Sequence, residues 1–185
     1  VKTNEKTASG VELVFFGRLE TRKGLDIFLR ALRKLSDEDK ETISGVTFLG
    51  KNVTLGKIDS FTYIMNQTKN LGLAVNIISD YDRTNANEYI KRKNVLVIIP
   101  SLVENSPYTV YECLINNVNF LASNVGGIPE LIPQEHHAEV LFTPTPVDLY
   151  GKIHYRLKNI NIKPGLVDSQ ENIQAAWFAA IERKD

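Results

Sequence analysis

Residues 95–114 read VLVIIPSLVENSPYTVYECL, and the first five of them decide the fold. Val95 to Ile99 is aliphatic throughout, with no polar residue alternating in, as expected of a strand covered on both faces in a parallel sheet. A Pro-Ser step and a polar turn follow. Ser106 and Pro107 then suit the start of a helix, Ser106 as its cap and Pro107 as its first residue. This short segment is therefore a strand, a loop and a helix in sequence.

The same alternation extends in both directions. VELVFFG (11–17) is a first strand, and in GLDIFLRALRKL (24–35) Phe28, Ala31, Leu32 and Leu35 share one helical face. A strand at 46–50, a weaker helix around 57–70, a strand at 74–79 and a short helix at 85–92 lead up to the strand at 94–100. Strands at 119–124 and 140–144 follow. Strand after helix after strand predicts an α/β domain built on a doubly wound parallel sheet of about six strands. Residues 1–185 are expected to form a single domain, with 1–10 as a linker and 169–185 as a carboxyl-terminal amphipathic helix around Trp177. In such sheets ligands bind beyond the carboxyl ends of the strands, so the loops to search are those after Gly17, Gly50, Ser79, Pro100 and Asn124.

Composition narrows the function. The chain has 185 residues, 43% hydrophobic and 24% charged, and a formal net charge of zero. No global field draws it to nucleic acid or an anionic membrane, so affinity for phosphate must come from a local site. The single cysteine, Cys113, excludes an internal disulfide framework and a cysteine-based zinc cluster. No run approaches the roughly 20 apolar residues of a membrane span, and the first residues carry no signal-like apolar segment. The expected location is the cytoplasm, with peripheral membrane association allowed. The start without Met, with a strand almost at once, suggests a fragment of something larger.

Two loops carry chemistry. GRLETRKG (17–24) places Arg18, Arg22 and Lys23 between a strand end and a helix start, where cationic side chains and free amides can meet a diphosphate. A solvated charged turn is the competing explanation. The glycine spacing matches neither a dinucleotide fingerprint nor a Walker lysine motif. In the second loop, Glu104 precedes the helix and Glu112 lies within it, with seven residues between them. Eight helical steps would span roughly 12 Å, too far for a glycosidase acid pair, roughly 5–9.5 Å apart. An extended ligand with a polyhydroxylated group at each end fits better, since an ionised carboxylate accepts a pair of hydroxyl donors. The helix amides between the acids could receive anionic oxygens, an order of sugar, phosphates and ribose. The alternative is a surface loop acid and an exposed helix acid, although Tyr108, Val110, Tyr111, Cys113, Leu114 and Ile115 leave Glu112 little polar face.

GRLETRKGLDIFLRAL, VLVIIPSLVENSPYTVYECL and FLASNVGGIPELI, in this order, resemble the donor-binding, carboxyl-terminal half of the GT-B glycosyltransferases, specifically the family 4 group of retaining enzymes. The resemblance runs over residues 11–132 and more loosely to the final helix. It implies a Rossmann-like domain that binds a nucleoside-diphosphate sugar, in an enzyme that transfers the sugar with retention. Arg18 and Lys23 would neutralise the diphosphate. Glu104, the one residue placed at the catalytic position, would hold hydroxyls of the transferring sugar, and Glu112 the ribose. The backbone amides of Asn105, Ser106, Thr109 and Val110 would contact sugar and phosphate, and Ser79, Asp80 and Tyr81 would border the base.

The resemblance further implies that no metal or other cofactor is needed. The acceptor, a glycan, lipid or protein, would be held by an amino-terminal domain not contained in this chain, which would bind donor but transfer nothing alone. Asn105, Ser106 and Pro107 depart from the usual turn after the first acid, where the sugar would lie, and Asn116, Asn117 and Asn119 replace a common Cys-Gly-Thr-Pro run. Two rivals are a noncatalytic nucleotide-sugar-binding module and a nucleotide-sugar epimerase, the latter lacking a convincing acid and base set. Gly126, Gly127 and Glu130 are expected to form a structural turn before a short helix. His136 and His137 are expected in a solvated loop rather than at a metal, and His154 in helix packing.

Overall fold

A computed structural model describes residues 10–159. Strand β1 (Val11–Phe16) leads through a 3-10 turn (Thr21–Lys23) into α1 (Leu25–Leu32), then α2 (Asp37–Thr42) and β2 (Ile43–Leu49). A small antiparallel hairpin, β3 (Thr54–Leu55) with β4 (Ile58–Asp59), precedes α3 (Ser60–Thr68) and β5 (Val75–Ile78). The chain continues with α4 (Arg83–Ile90), β6 (Val95–Ile99), α5 (Tyr108–Ile115) and β7 (Phe120–Ser123). Short 3-10 turns then lead to α6 (His137–Val140), β8 (Leu141–Phe142) and α7 (Pro146–Lys158).

The six main strands form one sheet in the order β5-β2-β1-β6-β7-β8, with every pairing parallel. This is the doubly wound sheet the alternation predicts. β1 is central and buried on both sides. Leu13 and Phe15 enter a core with Phe28 of α1, Phe48 of β2 and Ile153 of α7, while Val14 and Phe16 enter a second core with Ala86 of α4 and Val110 of α5. The rings of Phe15, Phe28 and Phe48 lie 5.5–6.1 Å apart, centroid to centroid, and burial of each contributes roughly 2–3 kcal/mol. From β1 the chain winds outward to β2 and β5, then returns to β6 on the other side of β1. The reversal puts the loops after β1 and β6 next to each other at the carboxyl edge, where a doubly wound sheet opens its ligand crevice.

Several local expectations are corrected. α5 begins at Tyr108, with Pro107 as its cap at φ −79°, ψ 63°, and no side chain, Ser106 included, caps it. α2 and the β3–β4 hairpin are unanticipated. α2 is held by a capping box in which Ser36 Oγ accepts from Asp39 N–H and the Asp39 carboxylate accepts from Ser36 N–H. The two adjacent histidines lie in short helical turns rather than a solvated loop. His137 Nε2 is 2.7 Å from Ile132 O and 3.1 Å from Pro129 O, which requires that nitrogen to carry the proton. His154 ties α7 to α2 through a 2.7 Å bond to buried Asp39. Nearly all of the proposed linker 1–10 and the whole helix expected at 169–185, with Trp177, lie outside the described residues.

Candidate functional site at the carboxyl edge of the sheet

The basic turn and the acidic loop pack directly together. Gly24 ends the turn at φ +78°, and a Cβ there would sit 1.7 Å from Pro100 O, so only glycine allows this approach. Leu102 N–H donates to Arg22 O at 2.9 Å, which stitches the same two segments a second time. Gly126 does the corresponding job from β7. Its φ is +52°, and a Cβ would lie 1.9 Å from the carbonyl oxygen of Glu104. Gly127 N–H donates to that oxygen at 3.1 Å. The glycine pair is thus the expected structural turn before a short 3-10 helix, Pro129–Leu131, and its position fixes the backbone of Glu104.

Both acids are buried. Glu104 is 5% and Glu112 7% exposed, so the surface-acid alternative does not hold. Each carries a cation, since a buried carboxylate without one would be costly. Glu104 is ion-paired to Lys23, whose side chain is 16% exposed, and Ser101 Oγ approaches the same carboxylate at 3.4 Å. Glu112 Oε1 accepts from Nε of Arg83 at 2.6 Å, and this arginine side chain is 66% exposed. Burial raises the Glu112 carboxyl above its ordinary value, although the hydrogen bond and charge of Arg83 act to lower it. Its helix neighbour Cys113 is fully buried in the core, and burial followed by the Glu112 charge pushes its thiol well up.

A cleft of about 350 Å³ opens beside Glu112, over the ends of β1, β2 and β5. Of the residues singled out in the sequence, Arg18, Ser79, Tyr81, Thr109 and Glu112 line it together. Arg18 is exposed and only loosely paired with Glu20, at 3.6 Å. Thr109 belongs to the first turn of α5, whose first intrahelical bond runs from Tyr111 N–H to Pro107 O at 3.0 Å, so the amides of Thr109 and Val110 come before it. The Val110 side chain is fully buried, which leaves only its backbone to contact a ligand. Lys23 and Glu104 lie in the adjoining loops rather than among the residues lining the cleft, and Asn105, Ser106 and Asp80 are exposed. Sequence reasoning missed two cations in the cleft wall, Lys51 after β2 and Arg83 at the start of α4. The strand-end position was the available signal for both. Among the described residues no three His, Cys, Asp or Glu side chains are grouped as a metal site would require, and no helix is long and apolar enough to cross a membrane.

Solved structures with this fold include HepE from Anabaena in complex with UDP. It is 20% identical with a TM-score of 0.67, and the match covers 96% of this chain and 46% of that one. Sucrose-phosphate synthase from Thermosynechococcus elongatus matches at 19% identity and TM-score 0.73, over 96% of this chain and 44% of that one. The present chain therefore spans under half the length of either. The C-terminal domain of a glycosyl transferase group 1 family protein, LpcC from Francisella tularensis, matches at 16% identity and TM-score 0.67, over 94% of this chain and 85% of that domain. No curated protein matches. The fold is that of a GT-B carboxyl-terminal, Rossmann-like domain. The profile of the glycosyl transferases group 1 matches residues 2–164, and the chain belongs to that family.

Proposed function

We propose that this chain is the donor-binding half of a glycosyltransferase that takes a sugar from a nucleoside-diphosphate donor with retention of configuration. The observation that carries this reading is the junction itself. A basic turn, the amino end of α5 and two buried glutamates share the carboxyl edge of one sheet, the arrangement an extended ligand with hydroxyls at both ends and charge in the middle requires.

In this reading the diphosphate lies over the first turn of α5, facing the amides of Thr109 and Val110, with Arg18 supplying positive charge. Lys23 joins it. Lys23 and Glu104 neutralise each other, and a diphosphate would compete for the ammonium group, leaving the carboxylate to accept hydroxyls of the transferring sugar beside Asn105 and Ser106. Glu112 accepts the ribose hydroxyls, and Ser79, Asp80 and Tyr81 border the base. The cations stabilise the charge that builds on the departing diphosphate, an electrostatic contribution that needs no proton transfer from the protein. Glu104, the residue proposed for the catalytic position, orients the sugar rather than attacking it. No metal or other cofactor enters this scheme. The acceptor, a glycan, lipid or protein, is held by an amino-terminal domain of the whole protein, and the present chain binds donor without turning it over. Its place is the cytoplasm or a membrane surface facing it.

HepE was solved with UDP, which makes UDP the first nucleotide to titrate, with GDP and ADP beside it. Calorimetric titration should show weak binding of at least one of them, reduced roughly tenfold by Lys23→Ala and by Glu112→Gln, the loss of one charge-assisted hydrogen bond. Unchanged binding in both variants would overturn the assignment.

A further inference from the structure

We propose that Arg83 is a positioning residue of the nucleotide site, holding the Glu112 carboxylate by one oxygen and leaving the other to accept a ribose hydroxyl. The inference rests on the donor-site reading above and assigns a role to a residue outside the diphosphate, sugar and ribose contacts proposed there.

Three observations carry it. First, the pair joins elements far apart in the chain, α4 and α5, with a 2.6 Å bond from Nε to Oε1. A guanidinium binding through Nε presents a fixed plane, so it orients the carboxylate as well as balancing its charge. Second, the two partners differ in exposure. Glu112 is buried, whereas the Arg83 side chain is two-thirds exposed and lines the same cleft. An ion pair kept only for folding gains little from an exposed partner. Third, Arg83 is held in place by its neighbours. Asp82 caps α4 by accepting from Asn85 N–H at 2.8 Å, and Tyr81 packs edge-on against Tyr89 at 6.0 Å, so the first residue of the helix has a defined position.

The charged and titratable groups that line the cleft with Glu112 are Arg18 from the loop after β1, Lys51 from the loop after β2, and Tyr81, Asp82 and Arg83 from the β5–α4 connection, and Cys113 adjoins it on α5 itself. Among them Arg83 is the group that acts to lower the Glu112 carboxyl, against a burial effect that raises it. Without Arg83 that opposition is gone, and Glu112 takes up its proton at a higher pH. A protonated carboxyl becomes a donor and loses acceptor capacity, so affinity for a ribose-bearing ligand should fall with it.

The experiment is a calorimetric titration of UDP into the wild-type chain and the Arg83→Gln, Arg83→Lys and Glu112→Gln variants between pH 5 and 8. The ratio of wild-type to Arg83→Gln affinity cancels the titration of the nucleotide's own phosphate. It should stay within about threefold at pH 8 and widen severalfold beyond that as pH falls and Glu112 takes up its proton in the variant first. Arg83→Lys, which keeps the charge, should move the profile back toward wild type. Glu112→Gln should bind weakly, with no pH dependence of its own from this position. If UDP binds, Glu112→Gln weakens it, and Arg83→Gln nonetheless follows the wild-type pH profile, the role of Arg83 is overturned while the donor-site reading stands. If Arg83→Lys behaves as Arg83→Gln, the effect does not come from the charge and the inference fails as stated. If the wild-type chain binds none of UDP, GDP and ADP, or Glu112→Gln binds UDP as wild type does, the ribose-site reading fails and this inference with it.

Discussion

Glu104 and Glu112 are both buried, and both face a cation, yet the two pairs are built differently. Lys23 and Glu104 are both largely sequestered, and their backbones are locked by Gly24 against Pro100 and by Gly126 against Glu104 itself. Arg83 reaches Glu112 from the solvent side, at the wall of an open cleft. The first pair is an internal joint between loops; the second is a surface-reaching brace on a buried acid. In energetic terms, removing one member of an internal pair leaves a charge that water solvates poorly, whereas an exposed partner is readily replaced by solvent.

The comparison can be broken most sharply at Lys23. Lys23→Ala should lower the unfolding free energy in urea by about 3 kcal/mol, the cost of a buried carboxylate left unpaired, and a change under about 1 kcal/mol would show that the pair is not an internal joint. Next in size is Gly126→Ala, which forces a Cβ against the Glu104 carbonyl at a positive φ. About 2 kcal/mol of destabilisation is expected, measured the same way, and the nucleotide affinity should fall with it if the turn positions the acid.

On the other side of the comparison, Glu112→Gln should leave stability near neutral pH unchanged or raised by under about 1 kcal/mol, because the replaced carboxylate is strained by burial. The sign with pH follows from its raised carboxyl. The folded state holds that proton more tightly than the unfolded chain does, so the cost is present above the raised value. It is relieved as pH falls toward the ordinary carboxylate range. Wild type should therefore gain on Glu112→Gln when urea midpoints are compared from pH 7 downward, and an opposite slope would contradict the burial argument. Arg83→Gln should cost about 1 kcal/mol in unfolding free energy near neutral pH, less than Lys23→Ala because solvent reaches the exposed partner, so a loss as large as that of Lys23→Ala would erase the distinction between the pairs.

What the sequence revealed follows the same division. The run from Val95 to Ile99 has to be buried on both faces, and the parallel sheet with its carboxyl-edge crevice follows from that. The glutamates stood out because a polar turn and an apolar helix are each odd places for an acid. Their partners were harder to see. Arg83 opens RTNANEYI, a polar helix whose charges look solvated, and it lies 29 positions before Glu112. α2 escaped because Asp37–Thr42 is wholly polar, its support coming from a capping box and from His154, which is 115 residues away from Asp39. The cap of α5 was misread because a proline after a serine suits a helix start in isolation, while here Pro107 is buried beneath the loop and takes the cap position itself.

The contact of Gly24 with Pro100 has a mechanical consequence. With a backbone hydrogen bond beside it, from Leu102 to Arg22, the basic turn cannot swing away from the acidic loop without opening both. Whatever closes over a bound ligand must carry the two segments together, as one jaw with its lysine and its glutamate on the same tooth.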